Sequence, residues 1–146
     1  MIADPVAIEN AMQRFAQREP DVVAAYLHGS YATGHADAES DIDIAILTKR
    51  GLPPQERHAV RMRAIYELSK ILGEALSDKM DVIILQDIPV LLQYNVARKG
   101  RRLYERAKGT CAEFEVSVEQ KYHDEEPYLR RETEMILDRI LSRTAV

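Results

Sequence analysis

The chain has 146 residues, of which 46% are hydrophobic and 30% charged, and its formal net charge at pH 7 is −4. This size predicts one domain with a single core and leaves little chain for a second substrate-recognition domain. No apolar run approaches the roughly 18 residues of a membrane span, and the N-terminus MIADPVAIENAMQRF lacks a secretory pattern. The negative net charge gives no electrostatic case for direct nucleic-acid binding. We therefore expect a cytoplasmic protein, which the lone Cys111 also fits.

Helical and strand patterns follow each other along the first half of the chain. Asp4-Pro5 predicts the start of a helix, because Asp caps helix N-termini and Pro is tolerated at the first helical position. Residues 22–28, VVAAYLH, predict a buried strand that ends at Gly29-Ser30, where a helical turn follows. Residues 41–47, DIDIAIL, predict a second strand because apolar residues alternate along them.

The second half predicts further helices and strands. An amphipathic helix from about residue 55 to 76 has Ile65, Leu68, Leu72 and Ala75 on one side. The later predicted elements are a strand at 80–85, a helix from Asp87 and Pro89 to Gly100, an edge strand at 101–105, a helix opened by a capping box of Thr110 and Glu113, and a last helix after an interruption at Pro127. This order predicts a mixed α/β (α+β) domain with a helical C-terminal part, since the alternation is not regular enough for a doubly wound sheet.

The unusual feature of the second strand is its pair of aspartates. Asp is a poor strand former, yet Asp41 and Asp43 begin an otherwise apolar strand. A period of two residues directs both carboxylates to the same side. Two such charges repel and raise each other's pKa unless a cation lies between them. Hard oxygen ligands of this kind suit Mg²⁺, which leaves its other positions to water and phosphate.

A third acid and a glycine-containing turn complete the pattern. Asp81 interrupts the apolar strand MDVIIL, and if that strand pairs with the one before it, three carboxylates can converge on two metal ions. Gly29 allows close approach of a phosphate to the backbone, and the hydroxyl of Ser30 can add a hydrogen bond. Each feature alone is also explained by a turn, an acidic strand edge or a loop cap. Together they predict a site for phosphoryl transfer.

These residues resemble a known family. Gly29-Ser30, ten further residues and Asp41-Ile42-Asp43 reproduce the G-S-x10-D-x-D signature of the DNA polymerase β-like nucleotidyltransferase superfamily. Within it, the short chain looks like the minimal nucleotidyltransferases (MNT), which are the antitoxins of HEPN/MNT toxin–antitoxin pairs. The resemblance covers about residues 21–106 and implies a mixed β-sheet flanked by helices. Residues 1–108 would then be the nucleotidyltransferase core and residues 109–146 a C-terminal helical extension, in the same domain or used for partner docking.

The resemblance also implies roles and a reaction. Asp41 and Asp43 would bind metal, Asp81 would be a third ligand or a general base, and Gly29 and Ser30 would hold the triphosphate. Two Mg²⁺ ions and ATP are the implied cofactor and substrate. The implied reaction transfers AMP from ATP to a tyrosine of a cognate HEPN ribonuclease toxin and silences it. One departure is Thr33, where many relatives carry Arg.

Two other functions remain open on the sequence. The chain could modify a small hydroxyl compound or an RNA end, or it could be an antitoxin that acts by binding alone. The basic segment, which we define as residues 98–108, has six cations against one acid. It could meet the triphosphate, RNA or an acidic partner, but the prediction that we favour is a solvated helix end. His28, Tyr122 and Tyr128 are predicted to be packing residues.

Overall fold

The computed structural model describes residues 3–144, which form a four-stranded mixed sheet with helices on both faces. The strands are β1 (Val22–His28), β2 (Ile42–Thr48), β3 (Met80–Ile84) and β4 (Arg101–Glu105). Their order across the sheet is β3-β2-β1-β4, with β1 antiparallel to β2 and β4, and with β2 parallel to β3. The predicted fold class and the predicted edge strand at 101–105 are confirmed.

Helices α1 (Pro5–Arg18) and α3 (Pro54–Leu72) cover one face of the sheet. The helix α1 begins as predicted, since the Asp4 side chain accepts a hydrogen bond from the Val6 N–H at 3.0 Å. The alternation of β2 sends its isoleucines to this face, where they are fully buried. The residues that meet there from the two helices and β2 are Ile8, Met12, Phe15, Val60, Ala64, Leu68, Ile42, Ile44 and Ile46.

The opposite face is covered by α4 (Val90–Lys99) and the first turns of α5 (Thr110–Thr144). The smaller core on this face consists of Ala24, Tyr26, Ala45, Leu85, Val96 and Cys111. The Tyr26 hydroxyl lies in it and donates to the Glu115 carboxylate at 2.8 Å. This partly buried hydrogen bond ties α5 to β1, a central strand of the sheet.

The predicted helix at 55–76 is shorter than expected. It ends at Leu72 because Gly73 takes a φ of +110°, and a 3₁₀ turn over Glu74–Lys79 leads into β3. Ala75, which was predicted on the buried side, is exposed. A short helix, α2 (Ser30–Thr33), follows β1 as predicted.

The prediction of two C-terminal helices separated at Pro127 is wrong, because α5 is one helix with Pro127 inside it. Proline removes one N–H and crowds the carbonyl four residues earlier, but Pro127 and His123 are both exposed, so water can serve that carbonyl. The Arg130–Glu126 ion pair also spans the proline.

The predicted capping box at the start of α5 is absent. The Thr110 hydroxyl donates to the Ala107 carbonyl at 2.7 Å. The Cys111 N–H, in the first turn of α5, donates to the Glu105 carboxylate at 2.8 Å. Residues 131–142 of α5 are all exposed, so the helix projects away from both cores. No helix within residues 3–144 has the length and apolarity to cross a membrane. Residues 145 and 146 of the predicted extension lie outside the described residues.

Candidate active site

The parallel pairing of β2 and β3 brings two of the predicted acids together. Asp43 and Asp81 are direct partners in the ladder, so their side chains leave the sheet on the same side and at the same level. Asp43 is half-buried and Asp81 is exposed. Asp41 lies one residue before β2 and is also exposed. All three carboxylates are therefore reachable from solvent.

Gly29 lies directly against this acidic pair. It has a φ of +70°, and a Cβ added to it would be 2.3 Å from Oδ2 of Asp43. A side chain at this position would push the Asp43 carboxylate aside, and the positive φ also favours glycine. Ser30 follows as the first residue of α2. The predicted phosphate-binding turn and the predicted acids thus form one continuous surface.

The electrostatics of Asp43 reflect this crowding. The pKa of Asp43 is raised from 3.8 to about 6, most of all by burial and then by the charges of Asp81 and Asp41 and a hydrogen bond with Asp81. Like charges that are held together in this way lack a counter-charge. A divalent cation would supply it.

The donor set fits such a cation in part. No group of three His, Cys, Asp or Glu side chains in the described residues is arranged to hold a metal ion. Instead, Asp43 and Asp81 face each other, and Asp41 is near enough to influence the pKa of Asp43. Two carboxylates with open positions suit Mg²⁺, which usually keeps several waters and takes substrate phosphates as ligands.

A cavity of about 430 Å³ opens beside the acids, between the Gly29 turn and α4. Its lining as a whole is mainly apolar. The residues that line the cavity are His28, Gly29, Thr33, Asp81, Ile83, Ile88, Leu92, Asn95, Val96 and Lys99. A different groove, of about 550 Å³, lies at the opposite end of the sheet and contains none of the predicted site residues.

His28 is half-buried, as expected of a packing residue, but it also lines this cavity. Burial lowers its pKa, and the nearby charge of Asp81 opposes that change in part. Its Nε2 is buried without a hydrogen-bond partner in the described part of the chain. His28 therefore presents a neutral ring to the cavity at neutral pH.

The sequence interpretation did not identify the contribution of α4. Asn95 and Lys99 are exposed residues of this helix that line the cavity. The one available signal was Gly100, which ends α4 immediately before a strand and so indicates that the helix packs back on the sheet.

The basic segment is mostly engaged within the protein. Arg101 pairs with Glu9 at 3.2 Å and Arg102 with Glu115 at 2.8 Å. Arg98 donates to the Tyr94 hydroxyl at 2.8 Å, and Arg106 donates to three backbone carbonyls. The predicted solvated helix end is therefore correct only in part, since the guanidinium groups have specific protein partners.

The two C-terminal tyrosines differ in their surroundings. Tyr122 packs as predicted, with its ring stacked 3.7 Å from that of Tyr94. Tyr128 is 65% exposed, so the prediction that it packs is wrong, because the helix has left the core at this point.

A four-stranded mixed sheet with a glycine-serine turn and facing aspartates is typical of enzymes that transfer phosphate-containing groups. Comparison with known proteins identifies the family. Residues 10–109 match the model of the polymerase beta nucleotidyltransferase family, and the chain belongs to this family. The protein adenylyltransferase MntA of Shewanella oneidensis is 30% identical over 129 residues, which are 86% of this chain and 81% of that protein. The protein adenylyltransferase MntA of Aphanizomenon flos-aquae is 33% identical over 99 residues, or 63% of each chain.

The solved structures agree with the family. A crystal structure of a toxin–antitoxin with AMP-PNP superposes with a TM-score of 0.68 and 25% identity, and the match covers 91% of this chain and 98% of that one. The coverage includes most of α5. The fold similarity therefore extends beyond the nucleotidyltransferase core.

Proposed function

We propose that this chain is an Mg²⁺-dependent antitoxin that transfers AMP from ATP to a tyrosine of a cognate HEPN ribonuclease toxin and thereby neutralises it in the cytoplasm. The observation that carries the proposal is the pairing of Asp43 with Asp81 beside the Gly29 turn. Two relatives named protein adenylyltransferase and a similar chain solved in a toxin–antitoxin with AMP-PNP support the choice of reaction and partner.

Each site residue has a role in this reaction. Gly29 and Ser30 hold the triphosphate through backbone N–H groups and the Ser30 hydroxyl. Asp41 and Asp43 hold Mg²⁺, with Asp81 as third ligand or as general base; we propose two ions, as in other phosphoryl-transfer sites. When bound, the ions supply positive charge to the phosphate oxygens as negative charge develops on them.

The chemical step is a displacement at the α-phosphorus of ATP. The phenolic oxygen of the acceptor tyrosine forms a bond to this phosphorus, and the bond to the bridging oxygen of pyrophosphate breaks. The phenolic proton passes to the Asp81 carboxylate, which is exposed and lines the cavity. Pyrophosphate leaves, and the toxin carries AMP as a phosphodiester.

A protein acceptor suits a chain that has little surface for a second small substrate. A partner that docks and presents its own hydroxyl would provide the orientation that the short core lacks. The projecting part of α5 offers a surface for docking, since large apolar side chains are exposed along it. Those between residues 128 and 137 are Tyr128, Met135, Ile136 and Leu137.

The experiment is to incubate the protein with labelled ATP, Mg²⁺ and the HEPN-type protein encoded beside it. We expect one or more AMP groups on a tyrosine of that protein, detected by mass, and loss of its ribonuclease activity. The double variant Asp41→Asn with Asp43→Asn should lower the transfer rate by about three orders of magnitude or more. Both side chains would hold the Mg²⁺ that stabilises the negative charge of the transition state.

The control is Asp37→Asn, which removes an acid from the exposed loop before β2 where Asp37 bonds only within the loop. It should transfer at the wild-type rate. A double variant that still labels the partner normally would refute the site. A double variant that neutralises the toxin without labelling it would instead establish inhibition by binding alone, and label on added RNA or on an aminoglycoside but not on the partner would favour the other acceptors.

A further inference from the structure

Lys99 occupies a position that the rest of the basic segment does not. Within the described residues, the side chains of Lys99 and Lys108 have no hydrogen bond or ion pair. The side chains of all four arginines of the segment have partners. Lys108 lies in the turn before α5. Lys99 lines the cavity that also contains Gly29 and Asp81.

Lys99 and Gly29 line the same cavity, beside the end of the β1–β4 ladder. The last pair of that ladder is Leu27 and Arg101. Gly29 follows Leu27 by two residues, and Lys99 is the last residue of α4, two residues before Arg101.

Gly100 holds this arrangement close to the sheet. A Cβ on Gly100 would be 3.2 Å from the Leu27 carbonyl oxygen and 2.3 Å from that of Val96. The end of α4 therefore lies directly against β1 at Leu27. Leu27 precedes His28 by one residue and Gly29 by two. This contact fixes the backbone next to Lys99, whose exposed side chain lines the cavity.

The cavity that Lys99 lines contains few charged side chains. Among the described residues that line the cavity, Lys99 is the only lysine or arginine, and Asp81 is the only acid. The wall across from Lys99 includes Thr33, a neutral residue on the helix that begins with Ser30. No arginine or lysine of α2 faces the triphosphate, because α2 has the sequence SYAT.

We infer that Lys99 binds the triphosphate of ATP and completes, from the end of α4, the phosphate site that begins at Gly29 and Ser30. This inference deepens the proposed function and rests on it. A flexible ammonium group suits a phosphate chain as a mobile point charge. The position is set by the fold, whereas the four arginines of the segment are held in intramolecular bonds.

The test uses the full-length protein and measures ATP affinity by calorimetry with Mg²⁺, which needs no acceptor. Lys99→Gln should weaken ATP binding by about ten- to hundredfold, the range expected for one charge-assisted hydrogen bond. In the transfer assay the KM for ATP should rise by a similar factor with kcat within about threefold, because a contact made equally in the ground and transition states changes KM alone. Lys99→Arg should restore most of the affinity.

The matched control is Lys108→Gln, which removes the other unpaired lysine of the basic segment and should leave ATP affinity unchanged. Unaltered ATP affinity in Lys99→Gln would overturn the inference while leaving the proposed function standing. Loss of partner binding without loss of ATP affinity would overturn it as well and assign Lys99 to the partner surface. A wild-type protein that does not bind ATP would instead refute the proposed function itself.

Discussion

Asp43 and Asp81 are ladder partners on parallel strands, so two carboxylates that are 38 positions apart in the chain leave the sheet side by side. Neither has a basic partner in the described residues, and their mutual repulsion contributes to a pKa of about 6 for Asp43. Acids in this arrangement cost stability in the absence of a cation.

The metal-free protein should become more stable when Asp43 is replaced by Asn. The charged form of Asp43 is disfavoured in the fold, because its pKa rises from 3.8 to about 6. The free-energy cost of the charged Asp43 carboxylate to the folded state is fully present above pH 6. This cost disappears as the pH falls from about 6 to 4, because the carboxyl becomes protonated in the folded protein. Because Asp43 is only half-buried, we expect a gain on the order of 1 kcal/mol at pH 7.5, measured by urea unfolding with a chelator present.

The comparison variant is Asp78→Asn, an exposed acid in the 3₁₀ turn before β3. It should change the free energy of unfolding by less than about 0.5 kcal/mol at every pH. An Asp43→Asn protein that is less stable than wild type at pH 7.5 would contradict the assigned repulsion.

Gly29→Ala should lower the rate of AMP transfer strongly without unfolding the protein. The new Cβ would collide with Oδ2 of Asp43, at 2.3 Å, and displace the carboxylate that we propose as a metal ligand. Displacements of about 1 Å in reacting groups cost on the order of 100-fold in rate, which the transfer assay measures directly.

Gly34→Ala is the control for Gly29→Ala. Gly34 also has a positive φ, +78°, but an added Cβ there meets nothing within 4 Å. Both variants should lose about 1 kcal/mol of stability from the left-handed conformation. Equal losses of transfer in the two variants would show that backbone strain, and not the contact with Asp43, is responsible.

Arg106→Ala should destabilise the fold while leaving ATP binding unchanged. The Arg106 guanidinium donates to the carbonyls of Val22, Ala16 and Glu19 at 2.9, 2.7 and 2.9 Å. Its removal takes three charge-assisted hydrogen bonds from the junction of α1, β1 and β4, although the Ala16 and Glu19 carbonyls keep a backbone donor. We expect a cost of about 2–3 kcal/mol. Lys108→Ala, from the same segment, should cost less than about 0.5 kcal/mol in the same urea unfolding experiment.

Removal of residues 127–146 should separate partner binding from catalysis. Residues 131–142 are exposed throughout, so the unfolding midpoint should change by no more than about 3 °C, the shift expected for about 1 kcal/mol in a domain of this size. ATP affinity should stay at the wild-type value. Affinity for the HEPN-type partner should fall by at least about tenfold, measured by calorimetry; unchanged partner affinity would exclude this part of α5 as the docking surface.

The candidate site was predictable from the sequence to the extent that its signals are local. The alternation in DIDIAIL places Asp41 and Asp43 on one side of a strand whatever the rest of the fold does, and Gly29-Ser30 follows a buried strand directly. The start of α1 is equally local, since Asp4 caps it through a hydrogen bond two residues away. Patterns over two to four residues depend mainly on neighbours in the chain.

Local signals failed where distant partners compete with them. Thr110 and Glu113 have the spacing of a capping box, but a carboxylate from β4, Glu105, reaches the start of α5 instead. Pro127 is a helix-breaking signal in the sequence, but α5 continues through it at an exposed position where water can serve the freed carbonyl. Both errors come from solvent exposure and tertiary contacts, which the local pattern does not contain.

The amino-acid sequence alone determined the strand and helix types, the identity of the acids and the turn that we propose for phosphate binding. Only the tertiary structure decided that β3 pairs in parallel with β2, so that Asp81 lies opposite Asp43, and that α4 ends against β1, so that Lys99 lines the same cavity as Gly29. The physical reason is that strand register is set by how both faces of the sheet pack against their helices. That packing is a property of the whole chain, and no segment carries it by itself.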